Sequence, residues 1–452
     1  MKIYPDYKSI DQLWLEEIPG EWQTIKIKYA FEERSEKGYP DEPLLVASQN
    51  MGVVPKSLYG NRTVEAQKDL HLLKLVRIGD FVISLRSFQG GIEYAYYQGI
   101  ISPAYTIMVS KGILTSGYFR YLAKSHSFIE LLKSCVTGIR EGQNIDYSKL
   151  KNYRIPVPPC PEQDQIVRFL DWKVSAINRL ISIKRKQIAL LHERQCVHIS
   201  YIVTHGLHGR VATKNSGVEW IGDIPEHWQA MRCKYLFSER DERSQEGQEQ
   251  HLSMSQKYGL VPDSQLDERR MLSESYAGGK LCYKDDLVLN RLKAHLGVFA
   301  LSPQSGVISP DYTVLIPNTE RVLSTFAETV LKSDLCRDEL RIRVRGIIEG
   351  FWRLYTDDFN TIVLPVPPIE EQAKIMEHII EFRSKTKKYE DSLTQEISTL
   401  QEFKARLISD VVTGKIDVRD IEVPAFEYVE ETADSFDEDD RDMGDASEDR
   451  EK

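Results

Sequence analysis

The chain has 452 residues, 41% of them hydrophobic, which is enough to bury more than one core. No run of about 18 apolar residues is present to cross a bilayer, the opening MKIYPDYKSIDQ lacks the plan of a secretory signal, and Cys135, Cys160, Cys196, Cys233, Cys282 and Cys336 are scattered without a CxxC pair. A cytoplasmic chain with reduced thiols and no membrane partner is expected. The net charge of -10 argues against a nucleic-acid partner until it is divided: Glu422 to Lys452 holds 14 acids and 3 bases, a net of -11, which leaves +1 for the rest.

Residues 1–160 mix short apolar runs, such as "GDFVISL" from Gly79, with Gly and Pro punctuation and short helical patterns, which predicts a small α+β domain. The phrase "PVPPCPEQDQIVRFLDWKV" from Pro156 then starts a helix: its prolines forbid a preceding turn of helix, and Glu162 complements the positive helix N-terminus. The helix is expected over 161–206, with Val167, Leu170, Val174, Ile177, Ile181, Ile188, Leu191 and Ile202 on a three-four spaced seam and Gly206 as its C-terminal cap.

From residue 207 the chain repeats itself. Trp14, Ile18, Pro19 and Trp22 return as Trp220, Ile224, Pro225 and Trp228, "GIISPAYT" from Gly99 as "GVISPDYT" from Gly306, and "GIREG" from Gly138 as "GIIEG" from Gly346. The offset grows slowly, from 206 to 209, as expected of a tandem duplication with small insertions. A second α+β domain is therefore expected over 207–368. After "PVPPIEEQAKIMEHIIEFR" from Pro365, a second helix is expected over 369–420, with Ile379, Leu393, Ile397, Leu400 and Leu407 on its seam and a cap at Gly414. A helix of about 40 residues is about 60 Å long, more than a small domain needs. The fold class is α+β, a globular domain plus a long helix occurring twice, with the two helices pairing as an antiparallel coiled coil in a pseudo-twofold rod. Residues 421–452 form the acidic tail, and its one-signed charge and scarcity of apolar residues predict disorder.

Catalytic signatures are missing. "GGKL" at Gly278 and "TGKI" at Thr413 lack the first glycine and the hydroxyl of a phosphate loop. "SPAY" at Ser102 and "SPDY" at Ser309 only partly match the loop of adenine methyltransferases, with the second proline absent. Cys196, His198, His205 and His208 could be drawn as a metal cluster, but the second copy has Ala405, Leu407, Gly414 and Asp417 there, so helix-end packing is expected.

What remains is polar equipment on the two domains. In the first copy, "LRSFQGG" offers Arg86, Ser87 and Gln89, and "TGIREGQN" offers Arg140, Gln143 and Asn144. In the second, "LNRLKAH" offers Asn290, Arg291 and Lys293. "RIRVRGIIEGFWRLY" sets Arg341, Arg343 and Arg345 at strand spacing, followed by Trp352, Arg353 and Tyr355. Arg and Lys suit guanine edges and phosphates, and Asn and Gln suit adenine, so these loops are candidate base readers.

The IP-x-x-W openings at Ile18 and Ile224, the two PVPP phrases and the duplicated domain-helix plan together resemble the specificity subunit of type I restriction-modification systems, over the chain to about residue 421. The resemblance implies two target recognition domains reading the halves of a split sequence in double-stranded DNA. It implies two modification subunits as partners, which hold S-adenosylmethionine and methylate adenine, and restriction subunits that use ATP and Mg. No cofactor is then expected on this chain, and no catalysis by it alone. The acidic tail is not covered by the resemblance. The alternatives are a coiled-coil adaptor whose two domains read proteins, and an autonomous modifying enzyme. The first domain sums to +3 (20 bases, 17 acids) and the second to -3 (20 bases, 23 acids), so weak DNA binding by the chain alone is expected.

Overall fold

A computed structural model describes residues 2–10, 12, 14–49, 51–59, 69–137, 144–209, 211–255, 258–265, 276–346 and 352–429. The chain divides into two compact units, Met1–Lys186 with Leu393–Lys452, and Gln187–Ser392. The division falls inside both long helices, Cys160–His205 and Ile369–Val412. Each unit thus contains one globular domain, the first part of one long helix and the last part of the other.

The duplication is legible strand by strand. In the first domain a four-stranded antiparallel sheet has the order Phe31–Arg34, Thr106–Ser110, Phe81–Ile83, Glu93–Tyr94; in the second the order is Phe237–Arg240, Tyr312–Pro317, Leu287–Asn290, Phe299–Leu301. The hairpin Leu45–Ser48 with Gly52–Pro55 is matched by Leu252–Ser255 with Gly259–Pro262. An ion pair is copied with its surroundings. Arg34 binds Asp80, which also accepts the Arg77 backbone N–H, and Arg240 binds Asp286 at 2.9 Å, which accepts that of Tyr283. Hydrophobic residues alternate inward along these strands, and Phe31, Phe81, Phe119 and Phe128 fill the first core with edge-on ring contacts.

The repeated phrase at the start of each long helix explains itself in the fold. In "PEQ" and "EEQ" the glutamine is fully buried and spans two elements. Gln163 accepts the Thr115 backbone N–H at 2.8 Å and donates to the Pro158 carbonyl at 2.9 Å, and Gln372 accepts the Leu323 N–H at 2.8 Å and donates to the Pro367 carbonyl at 2.8 Å. Consecutive prolines have no N–H to offer, so these carbonyls need a side-chain donor. One residue earlier, Glu162 accepts from Tyr4 Oη and from Trp22 Nε1 at 2.9 Å. Trp22 also packs on the end of the other helix, where a Cβ at Gly414 would lie 3.2 Å from its ring and 2.4 Å from Pro19. Gly414 has φ +81°, so the left-handed backbone and the close approach both call for glycine.

Within each unit the two helix segments run antiparallel. In the first, Lys404 Nζ donates to Asn178 Oδ1 at 3.2 Å and Lys184 pairs with Glu396; in the second, His192 Nε2 lies 3.4 Å from Glu390 Oε2 and His198 Nε2 lies 3.3 Å from His378 Nε2. Of the expected seam, Leu170, Ile177, Ile181, Ile379, Leu393 and Leu407 are buried, and Ile188, Leu191, Ile397 and Leu400 are half-buried. Val167 turns toward the domain instead, where a Cβ on Gly117 would come within 3.1 Å of it. Ile199, Val203 and Ile375, outside the expected seam, are buried because the helix ends pack on their domains as well as on each other.

The strand reading of Arg341, Arg343 and Arg345 is corrected by the structure. Ser333 caps a helix that runs through Arg341, held by the Asp334–Arg337 (3.3 Å) and Asp338–Arg341 (3.0 Å) ion pairs, and only Arg345 forms a β-bridge, with Arg353. Residues 430–452, expected to be disordered, lie outside the described residues, as do Arg140 and Gln143.

Trp228 is the counterpart of Trp22 but differs in one bond: its Nε1 is buried without a partner, because Glu371 is engaged by His227 Nε2 at 2.7 Å. Trp22→Phe removes a hydrogen bond to a buried carboxylate and is expected to destabilise its unit by about 2 kcal/mol more than Trp228→Phe destabilises the other. Urea unfolding followed by circular dichroism measures the difference; equal costs would show that ring volume alone matters at both junctions.

Candidate nucleic-acid interface

In each domain the third strand in the order of the large sheet leads into a turn that carries the candidate readers. In the second domain the strand ends at Asn290, whose Oδ1 accepts the backbone N–H groups of Leu292 (3.1 Å) and Lys293 (3.3 Å) and so caps the turn Arg291–Leu296. Asn290 is buried and builds the turn instead of facing outward. Arg291 turns toward the "SPDY" loop, with Nε 2.6 Å from the Asp311 carbonyl oxygen and Nη2 3.4 Å from its carboxylate. Arg353 reaches the same carboxylate at 3.7 Å. Two guanidinium groups and one carboxylate therefore converge, and the cluster keeps an excess positive charge for an incoming phosphate or base edge.

The remaining residues of that domain sort by their partners. Arg343 is held by Glu339 and donates to Thr361 Oγ1 at 3.1 Å, and Arg345 pairs with Asp358. Arg345 and Arg353 exchange backbone hydrogen bonds of 2.9 and 2.8 Å on either side of the "GIIEG" segment. Trp352 packs edge-on against His295 at 5.2 Å, and burial pushes the His295 imidazole below its usual range, with Arg341 adding to the effect. Lys293 is half-buried and Tyr355 is exposed.

The first domain repeats the plan with other residues. Ser87 is buried, and its hydroxyl accepts the Ser84 N–H at 2.8 Å, so it fixes the turn as Asn290 does in the second domain. Arg86 and Gln89 are exposed on that turn. Gln49 Nε2 lies 3.4 Å from the Arg86 carbonyl, and a Cβ at Gly90 would meet the Gln49 side chain at 2.5 Å, which locks the two loops face to face. Arg86 also lies near Tyr105 of "SPAY": burial raises the Tyr105 hydroxyl above its usual range and Arg86 opposes that rise. Asn144 is exposed and pairs with Thr137 across the matching segment.

Sequence reasoning missed what holds these loops. Lys124 Nζ donates to the Gln49 carbonyl at 3.0 Å and to both oxygens of buried Glu93 at 2.6 and 2.7 Å. Arg120 links Tyr96 Oη (3.3 Å) to Asp171 (3.0 Å) on the long helix. Asp311 was in view within "GVISPDYT", and its position on the loop that returns at an offset of 207 was the available signal.

Among the described residues no helix is long and apolar enough to cross a membrane, and no group of three or more His, Cys, Asp or Glu side chains is placed to hold a metal ion. Of the four residues that could be drawn as a metal cluster, His198 faces His378, and His205 stacks on Tyr201 at 4.5 Å.

Burial pushes the Glu93 carboxyl up to about 7 despite Lys124. The folded chain therefore holds this proton more tightly than the unfolded chain, so the unit is most stable below the ordinary Glu range and loses stability as pH rises toward 7. The loss is on the order of 3 kcal/mol, and Glu93→Gln is expected to flatten the profile between pH 5 and 7. Melting temperature against pH tests this; parallel profiles would place the proton elsewhere.

Residues 19–190 match the family model described as "Type I restriction modification DNA specificity domain". The putative type I restriction enzyme MjaX specificity subunit of Methanocaldococcus jannaschii is 23% identical over 434 residues, covering 89% of this chain and 95% of its own. The type I restriction enzyme MjaVIII specificity subunit of the same organism is 21% identical over 439 residues, with the same coverage. The fold matches a chain of the structure described as "Structural basis underlying complex assembly and conformational transition of the type I R-M system", with a TM-score of 0.61 at 12% identity, over 88% of this chain and 99% of that one. The duplicated domain-helix plan and these matches place the chain in the family of type I restriction-modification specificity subunits.

Proposed function

We propose that each globular domain reads one half of a two-part sequence in double-stranded DNA, and that the long helices, with the buried glutamine junctions at their starts, recruit two modification subunits and, through them, restriction subunits. The observation that carries this reading is the repetition of one loop plan at the same strand end of the same sheet. Arg86 and Gln89 stand beside "SPAY" in one copy, and Arg291 and Arg353 converge on "SPDY" in the other. The scaffold is copied and the reading side chains are changed, as two readers of different half-sites require.

The chain supplies recognition and no catalytic step. S-adenosylmethionine belongs to the modification subunits, and ATP and Mg to the restriction subunits. The target adenine has to leave the base stack to reach a methylating pocket. The assembly works in the cytoplasm, where its DNA is. Many basic groups here are already paired, Arg343 with Glu339, Arg345 with Asp358 and Arg240 with Asp286, so few remain to release counterions, and the partner subunits supply the rest of the grip.

Replacing residues 207–368 with the corresponding domain of another specificity subunit is expected to change one half of the methylated motif and leave the other intact. Mapping methylated adenines in cells that carry the chimera with its modification partner tests this; simultaneous change of both halves would refute separate reading. Within the second domain, Arg291→Ala is expected to relax one base position at a cost of about 1 to 3 kcal/mol. An equal loss on every sequence would identify a phosphate contact instead.

A further inference from the structure

The last described residues are built into the first unit, although they begin the segment whose charge suggests a solvated tail. Gln165 Nε2 donates to the carbonyl oxygens of Val418 (3.0 Å) and Ile421 (2.6 Å), and Ile421 and Val423 pack on the first core. Farther on, Ser175 Oγ accepts the Val429 N–H at 3.1 Å and Asn178 Nδ2 donates to the Val429 carbonyl at 3.0 Å. Ser175 and Asn178 are both nearly fully buried. Thirteen helical residues separate Gln165 from Asn178, about 20 Å, and eight residue steps separate Ile421 from Val429, about 26 Å if fully extended. Residues 421–429 thus form a strap laid along the helix in its own direction. The second copy has no counterpart. Ser175 recurs there as Ser384, but the two amides that hold the strap, Gln165 and Asn178, correspond to Lys374 and Lys387, and the chain that follows Gly206 enters the second domain.

The strap fixes where the rest of the tail departs. Tyr428 lies beside Arg120 and Tyr121, raising the basicity of the first and the pKa of the second. Arg120 donates to Tyr96, which packs over Gly52, where a Cβ would come within 2.8 Å of its ring. Gly52 closes the hairpin that begins at Leu45 and includes the Gln49 loop, which in turn is locked to Arg86 and Gly90. The anchor of residues 430–452, which hold twelve acids and three bases, therefore lies on the side of the first domain that carries its candidate reading loops. A coil of 23 residues has a root-mean-square reach of about 26 Å and an effective concentration in the millimolar range near its anchor.

We propose that residues 430–452 are a tethered polyanion that competes with DNA phosphates for the first domain's Arg86–Gln89 face, with the strap 418–429 as the device that aims them there. The proposal rests on the DNA-reading function given above. A weak intramolecular competitor of this kind is displaced by a target that also supplies base contacts, and excludes duplexes that offer phosphates alone. Its effect falls on non-specific binding and leaves the recognised sequence unchanged.

The test uses the chain assembled with its modification partner and three tails: intact, deleted from Glu430 to Lys452, and of full length with its acids changed to Asn and Gln. At about 50 mM salt, deletion and neutralisation are each expected to tighten binding to a duplex lacking the target by about tenfold. The difference should vanish near 0.5 M salt, and the methylation motif should stay the same. A photoreactive residue in place of Phe436 should crosslink to the segments around Gln49 and Arg86, and excess duplex should abolish the crosslink. Deletion that changes non-specific affinity less than twofold, a neutralised tail that behaves as the intact one, or crosslinks confined to the second domain would each overturn the proposal. An assembly that methylates no adenine with any tail would instead overturn the recognition reading on which it rests.

Discussion

Everything in each unit is organised around a junction where a buried polar side chain joins a long helix to a domain. Gln163 and Gln372 satisfy carbonyls left over by the preceding prolines and, at the same time, the first N–H of a neighbouring element. Such a group is costly to bury and far costlier to leave half-paired, so the helix start has one acceptable position relative to the sheet. The tryptophan one layer below fixes the second helix end, because Gly414 in one unit and Gly206 in the other bring backbone against its ring. A domain held by the start of one helix and the end of the other cannot be built from one repeat alone. This is the physical reason for the duplication: each repeat supplies a helix that the other repeat's domain requires.

The same constraint explains which parts of the chain were legible in the sequence. Elements governed by periodicity were readable: the apolar seam, the alternating strands and the capping glycines all leave repeating marks, and the offset between copies identifies them twice. Arg343 and Arg345 were misread because their partners, Glu339 and Asp358, stand four residues away along a helix turn in one case and across a loop in the other. Ser87 and Asn290 stand at the head of reading turns and carry readers' chemistry, yet their polar atoms are consumed by backbone N–H groups of the turn itself. A residue type that suits base recognition also suits capping, and only the local geometry separates the two uses.

The two reading clusters also show how a copied scaffold acquires different surfaces. Asp311 in the second copy stands where the first has Ala104, and this one carboxylate draws Arg291 and Arg353 together. In the first copy the corresponding space is bordered by Arg86 and the hydroxyl of Tyr105, with Gln49 and Lys124 behind. Neither change touches the ion pairs Arg34–Asp80 and Arg240–Asp286 that close the sheet edge. Substitutions at the loop therefore alter charge and shape at the surface without disturbing the buried pairs beneath, which lets a reader diverge while its fold stays constant.

The symmetry fails at one place, and the failure follows from the order of the repeats. In the second unit the chain after Gly206 continues into a domain, whereas the residues after Gly414 enter no third repeat. The Lys2–Asp417 backbone bridge and the Tyr7 hydroxyl on the Gly414 carbonyl close that gap with residues from the start of the first domain. Residues beyond Asp417 are then released from the repeat's demands, and the helix face they meet differs to suit them: Gln165 and Asn178 stand where the second copy has Lys374 and Lys387, while Ser175, shared with Ser384, takes on the Val429 N–H. A helix face that carries amides in place of lysines, with their N–H groups on main-chain carbonyls, is fitted to a backbone, because a neutral amide buries with less desolvation cost than an ammonium and can donate and accept at once. Asn178 does both, giving its N–H to Val429 and taking one from Lys404 on the facing helix. The strap is thus a built part of the first unit, joined to the helix pair as well as to the domain, and the acidity that dominates the composition begins in earnest where this fitted stretch ends.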